Sequence, residues 1–535
     1  MKFRKKHWIL LILIVATFLR LYRLNANPPS LYWDEVSLGY NAFSILTNGT
    51  DEHGTPFPVT NFLAFGDAKP PLYIYAIVPF MKVFGANEWS VRLPSALAGI
   101  LAVYLTFLIA THIKKPLKIK SQYFPIIAMA LLAISPWHLQ MSRVAYEANL
   151  ALTLFLGALT AFLYAPKRPW LYILSAILFV STWYTFNAYR IFLPLFIVFL
   201  GVLYVKDLWK KKIYVGLSII VALVLTVPLI PFALSDQAHL RFEEVTIFKD
   251  LDPVLDANSR IELNNNAIWA KIVYNRRVMY ASEFLDGFLD HFKVDFLFFS
   301  GDVNPRLGVR EMGEMYLIEL PLLLVGLYYL ARRKSKMGLL LIVWTLLAVV
   351  PGAVARETPH ALRILQVLPV PLIIVAIGLV QVLQSHKSAK FLVAGAYVFF
   401  FSYYINLYYV HYPLHWSESW QYGYKELVYV LEEMKPDYDR IYITNSLGRA
   451  STNFLFYSKQ NVPEYLATRD TQIDQFGFVD TYSYGKYYFE KPDGDQPDNE
   501  RWLFVDRPDL QLPPEDIIKT IYDLKGKPVF LIHEK

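Results

Sequence analysis

The chain has no cysteine in its 535 residues, which removes disulfides, thiolate nucleophiles, iron–sulfur ligation and cysteine zinc sites in one step. Charge is scarce as well. Only 18% of residues are charged, against about a quarter in an ordinary soluble domain, and this argues against a water-soluble globule. A glycine-rich phosphate loop, a G-x-S-x-G elbow and an H-E-x-x-H metal motif are all missing. So are internal repeats and low-complexity tracts. His360 has no second histidine at ligand spacing, so a metal is not expected.

The chain is rich instead in apolar length. Hydrophobic residues make up 55% and mean hydropathy is +0.32. The 37 Tyr, 37 Phe and 12 Trp supply rings of the kind that settle at a membrane interface. Runs long enough to cross roughly 30 Å of hydrocarbon fall near residues 8–24, 90–111, 122–140, 148–165, 170–187, 190–205, 213–234, 315–331, 338–355, 362–383 and 390–410. They predict a mainly α, polytopic membrane protein with about eleven transmembrane helices.

Charge gives these spans a direction. The first run follows Lys2, Arg4, Lys5 and Lys6 and precedes Arg20 and Arg23 with no small-x-small cleavage site, so it reads as a retained span. Basic clusters recur in alternate gaps: Lys114, Lys115, Lys118 and Lys120; Lys167 and Arg168; Lys206 and Lys210 to Lys212; Arg332, Arg333, Lys334 and Lys336; Lys387 and Lys390. All fall on the side of the N-terminus. The positive-inside rule makes that side cytoplasmic, and an odd span count puts the C-terminus outside. The net charge of +7, from 52 basic and 45 acidic residues, is therefore topology and not a nucleic-acid footprint. A multi-pass protein of the cell membrane is expected, with a cytoplasmic N-terminus and an extracytoplasmic C-terminal domain.

On this layout residues 1–411 form a transmembrane module with outer loops 25–89 and 235–314, and residues 412–535 form a small extracytoplasmic α/β domain. Periodicity in the tail predicts a helix over 426–435, strands at 441–444, 502–506 and 529–532, and a helix opening at Pro513-Pro514-Glu515. Residues 485–501, rich in Asp, Pro and Gly, read as a loop.

Chemistry belongs in the outer pieces. Trp33-Asp34-Glu35 precedes Val36, Tyr40, Phe43 and Leu46 at helical spacing, which predicts an amphipathic helix on the membrane surface. Asp34 is then either a helix cap or an ionised carboxylate able to take a proton from an acceptor hydroxyl. In Asp67-Ala68-Lys69-Pro70-Pro71-Leu72-Tyr73 the lysine stands at the head of a second apolar helix, where it binds either a specific phosphate or lipid headgroups. Glu88-Trp89-Ser90-Val91-Arg92-Leu93-Pro94-Ser95 and Arg143-Val144-Ala145-Tyr146-Glu147-Ala148-Asn149 put ionisable groups at the mouths of spans, where such groups face a cavity or one another. Arg92 and Arg143 suit a phosphate or an interhelical salt bridge, and Glu147 suits a second acid or an arginine's partner. In the second outer loop, Trp269, Arg276, Arg277, Asp302 and Arg306 are candidates for closing over the site or are simply solvated.

In combination, Trp33-Asp34-Glu35 after a first span, Lys69-Pro70-Pro71-Leu72-Tyr73 and Arg92-Leu93-Pro94-Ser95 resemble the GT-C integral-membrane glycosyltransferases, specifically the superfamily of the protein O-mannosyltransferases and the 4-amino-4-deoxyarabinose lipid A transferases. The resemblance implies a polyprenyl-phosphate sugar donor and inverting transfer of a hexosyl or pentosyl group on the outer side. The acceptor hydroxyl would belong to a glycolipid, a glycan or a protein, and no cofactor is implied. By motif, Asp34 and Glu35 are the catalytic acids of the first loop, with Asp34 as base toward the acceptor or orienting it. Lys69 is the donor-phosphate ligand, and Arg92 and Arg143 are further phosphate ligands or structural arginines. Where the family often carries an Asp after the third span, this chain has Glu147 and Asn149, so Glu147 is the candidate second acid. His360-Ala361-Leu362-Arg363-Ile364-Leu365-Gln366-Val367-Leu368-Pro369 resembles a family segment with an arginine before an apolar, proline-ended run, which adds Arg363 to the phosphate ligands. Ile364 replaces the usual aromatic.

Elementary chemistry agrees with this assignment. A lipid phosphate leaves as an anion, so fixed cations stabilise the charge that develops on it. One carboxylate suffices as base, because the leaving phosphate needs no proton at neutral pH. A transporter or flippase for a lipid-linked sugar is the competing reading. It would favour inverted repeats and helices broken near the midplane, whereas this chain shows no repeat between its halves and gathers its ionisable residues at one face.

Overall fold

The computed structural model describes residues 5–534 apart from 66, 236–237, 239–242, 244, 474–477, 493–495, 498 and 511. Lys2 and Arg4 of the basic N-terminal run lie outside the described residues. The chain forms two compact units. One comprises Met1–Arg20, Ala98–Ser142 and Glu147–Tyr404; the other comprises Leu21–Leu97, Arg143–Tyr146 and Ile405–Lys535. The loop 25–89 thus falls in the same unit as the C-terminal tail, a grouping that the sequence layout does not convey.

The first unit is built of helices. Among the described residues six helices of the chain are long and apolar enough to cross a membrane, and the pair Phe124–Ile134 and Pro136–Ser142, bent by 58°, makes a seventh. The remaining predicted spans are shorter: Lys5–Leu21, Leu171–Trp183, Lys212–Thr226 and Glu319–Arg333 have 17, 13, 15 and 15 residues, against the roughly 20 of a perpendicular crossing. Their apolar sequence continues past the helical hydrogen bonding. Leu171–Trp183 runs out into turns, and Pro228 starts a new short helix after Lys212–Thr226.

Close packing in this unit depends on glycine. Helices Glu319–Arg333 and Val370–Ser385 touch at Gly326 and Gly378, where an added Cβ would lie 2.1 Å from the Ile374 carbonyl oxygen and 1.9 Å from that of Leu322. Small residues let membrane helices approach backbone to backbone in this way.

The second unit carries every strand described. β1 (Phe62–Ala64) and β2 (Asp67–Lys69) form an antiparallel hairpin. The tail forms a seven-stranded mixed sheet in the order β4-β5-β6-β3-β7-β9-β8, from β3 (Arg440–Ile443), β4 (Asp470–Ile473), β5 (Val479–Tyr484), β6 (Tyr487–Tyr488), β7 (Trp502–Asp506), β8 (Ile517–Tyr522) and β9 (Pro528–Glu534). The helix predicted over 426–435 is observed as Tyr424–Met434. The helix predicted at Pro513 is not formed: a single 3₁₀ turn, Pro514–Asp516, leads straight into β8. Ile517, Ile518, Thr520 and Ile521 are β-branched and pack better on a pleated surface than on a helix.

Helix Trp33–Asn48 forms as its periodicity predicts and ends at Gly49, whose φ of 71° gives a left-handed cap donating to the Ile45 carbonyl. It does not lie at a surface with one face in water. Val36, Tyr40 and Ala42 are all fully buried, and the Phe456 ring comes so close to Gly39 that a Cβ there would sit 2.7 Å from it.

Candidate functional site

Asp34 occupies the first turn of helix Trp33–Asn48, where unsatisfied N–H groups favour a carboxylate. The side chain of the cap residue Tyr32 does not cap the helix. Gln421 substitutes for it from a distance: its side-chain oxygen accepts from the Trp33 N–H at 2.8 Å, while its Nε2 donates to the carbonyls of Leu447 and Gly448 at 2.8 and 2.6 Å. A sequence reading cannot find a cap contributed from 388 residues away.

Lys69 reaches the same place from β2. Its Nζ lies 2.6 Å from Asp34 Oδ1 and 2.9 Å from Asp67 Oδ2, so one ammonium is held between two carboxylates. Lys69 and Asp67 are 12% and 6% exposed, whereas Asp34 is 26% exposed and is the member of the trio most open to solvent. Glu52 fixes the hairpin that presents them, accepting from the Phe65 N–H at 2.7 Å and from Asn41 Nδ2 at 3.1 Å. Asp67 was not singled out from the sequence, although a signal existed: residues i and i+2 of a strand share a face, so an Asp-x-Lys strand brings its own counterion.

Glu35, the next residue along the helix, faces a different environment. Both its oxygens accept from Arg92, Oε1 from Nε and Oε2 from Nη2, each at 2.9 Å, and Oε1 also accepts from the Ala145 N–H at 2.9 Å. The two side chains are 1% and 0% exposed. Arg92 Nη1 donates to the carbonyls of Leu24 and Pro28 at 3.1 and 2.8 Å, and Nη2 donates to that of Ser30. All five guanidinium N–H groups of Arg92 are thereby matched by protein acceptors.

Arg143 acts on the same stretch of chain. Its Nη2 donates to the carbonyls of Tyr22, Arg23 and Asn27 at 2.8, 3.4 and 2.9 Å, its Nε donates to the Tyr408 hydroxyl at 3.2 Å, and its guanidinium stacks on Tyr409 at 5.2 Å. Residues 22–30 follow the first helix without regular structure of their own, and their buried carbonyls need donors. Two buried arginines supply them. Among the candidates, therefore, Asp34 and Lys69 meet directly, while Glu35, Arg92 and Arg143 form the buried framework alongside them.

Glu147 and Arg363 belong to the other unit. Glu147 is the first residue of helix Glu147–Tyr164. Arg363 is partly exposed and lies 3.6 Å from Glu357. Two residues before Arg363, the Ala361 N–H donates to the buried Asp302 carboxylate at 2.6 Å, so Asp302 is a structural group and not a solvated loop acid. Burial raises its pKa and, more strongly, that of Glu314. His291 is pushed down to about 4, chiefly by burial. Its Nδ1 lies 2.7 Å from the Gly287 carbonyl and its Nε2 accepts from the His360 N–H at 3.1 Å, which assigns the proton to Nδ1.

Residues 68–232 match the family described as dolichyl-phosphate-mannose-protein mannosyltransferase. A protein of Bacillus subtilis (strain 168), named "Putative mannosyltransferase YycA", is 27% identical over 198 residues, which are 36% of this chain and 27% of that protein, so the match spans about a quarter of its length. The fold is similar to that of apo ArnT from Cupriavidus metallidurans, with a TM-score of 0.55 at 13% identity over 98% of both chains. For ArnT bound to undecaprenyl phosphate the TM-score is 0.52 at 13% identity, over 99% of this chain and 98% of that one. An Archaeoglobus fulgidus oligosaccharyltransferase tethered to an acceptor peptide gives 0.50 at 14% identity, over 85% of this chain and 64% of the other. At such identities the likeness is one of fold. The comparisons thus show a multi-pass membrane protein with an ArnT-like fold, in which residues 68–232 are similar to that mannosyltransferase family.

Proposed function

We propose that the protein transfers a sugar from a polyprenyl-phosphate donor to an acceptor hydroxyl on the extracytoplasmic side, with inversion at the anomeric carbon. The carrying observation is the contact of Asp34 with Lys69, a candidate base and a candidate phosphate ligand drawn together across 35 residues of sequence. The family's description and YycA's name support a hexose as the donor sugar. The complex of ArnT with undecaprenyl phosphate supports a polyprenyl carrier.

In the transfer step the acceptor oxygen attacks the anomeric carbon as the bond from that carbon to the phosphate oxygen breaks. The bonding pair leaves with polyprenyl phosphate, and the hydroxyl proton passes to Asp34, the more open carboxylate of the trio. Lys69 balances negative charge on both sides of the reaction, holding Asp34 before the donor arrives and offering its ammonium to the leaving phosphate afterwards. Asp67 positions Lys69. Glu35, Arg92 and Arg143 fix the chain that carries Asp34, a role supported by the burial of Glu35 and Arg92 and by the carbonyls that the two arginines hold.

The test is mass spectrometry of the purified full chain incubated with polyprenyl-phosphate mannose and a set of glycolipid, glycan and peptide acceptors. Wild-type protein should add one sugar to an acceptor and release polyprenyl phosphate. Asp34→Asn should lose about 10²- to 10⁴-fold in kcat, the range for a positioned general base, while retaining donor binding. Unchanged turnover in Asp34→Asn would remove Asp34 from the reaction.

A further inference from the structure

The seven-stranded sheet has two different faces. Helices cover one: Tyr487 on β6 donates its hydroxyl to Glu432 of helix Tyr424–Met434 at 2.7 Å, and its ring meets Phe454 of helix Ala450–Tyr457 at 5.0 Å. Neighbouring residues on each strand point the other way. There Tyr442, Tyr488, Trp502 and Phe504 form a continuous aromatic cluster, with Tyr442 at 5.1, 5.0 and 5.3 Å from the other three rings. Tyr442, Trp502 and Phe504 are buried, and Tyr488 is half-buried at their margin. Beside this cluster opens a cavity of about 590 Å³ whose lining includes Tyr442, Tyr488 and Trp502, within the range of ligand sites.

The polar groups around the cavity identify what it fits. Its two cations are already matched, Arg440 by Glu500 at 3.0 Å and Lys491 by Asp506 at 3.0 Å. Asp470 and Glu490 also line it, and neither has an ion pair among the described residues. An anionic ligand would meet two uncompensated carboxylates, and a purely apolar one would strand them. A ligand rich in hydroxyls satisfies them, because each hydroxyl donates to a carboxylate and accepts from an amide or guanidinium, while the apolar face of a sugar ring lies on the half-buried Tyr488 ring at the edge of the cluster.

The backbone contributes a separate sign. The pairing of β4 with β5 slips between Asp470 and Thr471, whose partners are Ser483 and Thr481. The extra residue is Tyr482. Strict alternation would point Tyr482 toward the helices, as Tyr484 points, yet Tyr482 and Ser483 both line the cavity. Bulges re-aim side chains in this way beside binding sites, and this one adds the Tyr482 hydroxyl to that of Ser483.

We infer that this face of the C-terminal sheet is a saccharide-binding site for a neutral or amine-bearing oligosaccharide, held by Tyr488, Tyr482, Gln472, Asp470 and Glu490. Its assignment to the acceptor glycan rests on the glycosyltransferase reading above; the binding itself does not. The site lies outside the Asp34 and Lys69 cluster, so the two are separable by mutation.

Saturation-transfer NMR on the full chain in detergent tests it, with α-mannobiose, chitobiose and maltotriose as probes and inorganic phosphate and an oligolysine peptide as competitors. At least one disaccharide or trisaccharide should receive saturation, and Glu490→Gln and Tyr488→Ala should each weaken that signal at least fivefold. Asp34→Asn should leave it unchanged, which keeps binding distinct from turnover. Glu490 is exposed, so its substitution reports on binding without threatening the fold. No saturation of any saccharide, or a signal that survives both substitutions, would overturn the site. Displacement by oligolysine but not by further saccharide would overturn it too, in favour of a basic peptide. If binding holds, Tyr488→Ala should raise KM for an oligosaccharide acceptor at least tenfold with kcat within a factor of two, and an unchanged KM would refute the acceptor assignment alone.

Discussion

Replacing Glu35 by Gln separates a framework role from a catalytic one, because the two readings predict different losses. In the structure Glu35 and Arg92 form a bidentate pair at 2.9 Å on both branches with almost no exposure. Removing one charge from a buried pair strands the other and costs about 3–5 kcal/mol. Gln keeps an oxygen for the Ala145 N–H, so the loss falls chiefly on the guanidinium. In a unit of about 200 residues, 1 kcal/mol moves Tm by roughly 2–4 °C, which gives a drop of roughly 6–20 °C. Removing both charges, as in Glu35→Leu with Arg92→Met, should not restore stability. Arg92 also serves the carbonyls of Leu24, Pro28 and Ser30, and each buried acceptor left bare costs about 1–3 kcal/mol. The assay is fluorescence-detected thermal unfolding in detergent, run beside donor-binding measurements on protein that remains folded. A Tm within 2 °C of wild type together with loss of donor affinity would refute the framework assignment and return the pair to the substrate.

Other perturbations probe separate parts of the molecule. Lys69→Met should lower kcat by about 10²- to 10³-fold through loss of charge stabilisation at the leaving phosphate, and single-turnover transfer kinetics will check it. Asp67→Asn leaves the ammonium in place with one counterion fewer, so donor KM should fall or stay level; a rise above tenfold would mean that Asp67 itself contacts substrate. His291 is depressed to about 4 in the fold against about 6.5 unfolded, so its contribution to stability is complete above pH 6.5 and is lost as pH falls toward 4. Wild-type protein should therefore lose about 2 kcal/mol from this group between pH 7 and pH 5, and His291→Gln should show a shallower fall of Tm over the same interval. Gly378→Ala should destabilise by about 1–3 kcal/mol through overpacking, since the new Cβ would sit 1.9 Å from the Leu322 carbonyl oxygen.

The motifs of the first loop were legible because they are short, local and chemically loaded: a carboxylate at a helix start and a lysine before two prolines keep their meaning in any fold. Three tail strands, β3, β7 and β9, were legible as short apolar runs, whereas β4 and β5 were not singled out, β6 fell in a stretch read as a loop, and β8 followed a start read as a helix. Helix Trp33–Asn48 was found by its period, but its burial was not, since a 3.6-residue repeat describes one apolar face and says nothing about what covers the other. The count of full-length spans differed because hydropathy continues through turns that hydrogen bonding does not.

The arginines show most clearly where letters stop carrying the answer. Arg92 and Arg143 stand in motif positions that suit a phosphate, and an arginine suits that task because it offers five donors in a rigid fork. The same five donors suit an irregular buried segment, and residues 22–30 present six carbonyls to these two side chains. Which partner an arginine takes is set by backbone that sequence does not display. Here the carbonyls belong to the chain leading into Asp34, so the arginines bear on the proposed reaction through position. Glu35 ties that chain to Arg92 and to Ala145, Gln421 holds the helix start, and the hairpin brings Lys69 to 2.6 Å. A carboxylate fixed from three directions does not have to reorganise as charge develops, and preorganisation of that kind is what an electrostatic contribution to catalysis requires.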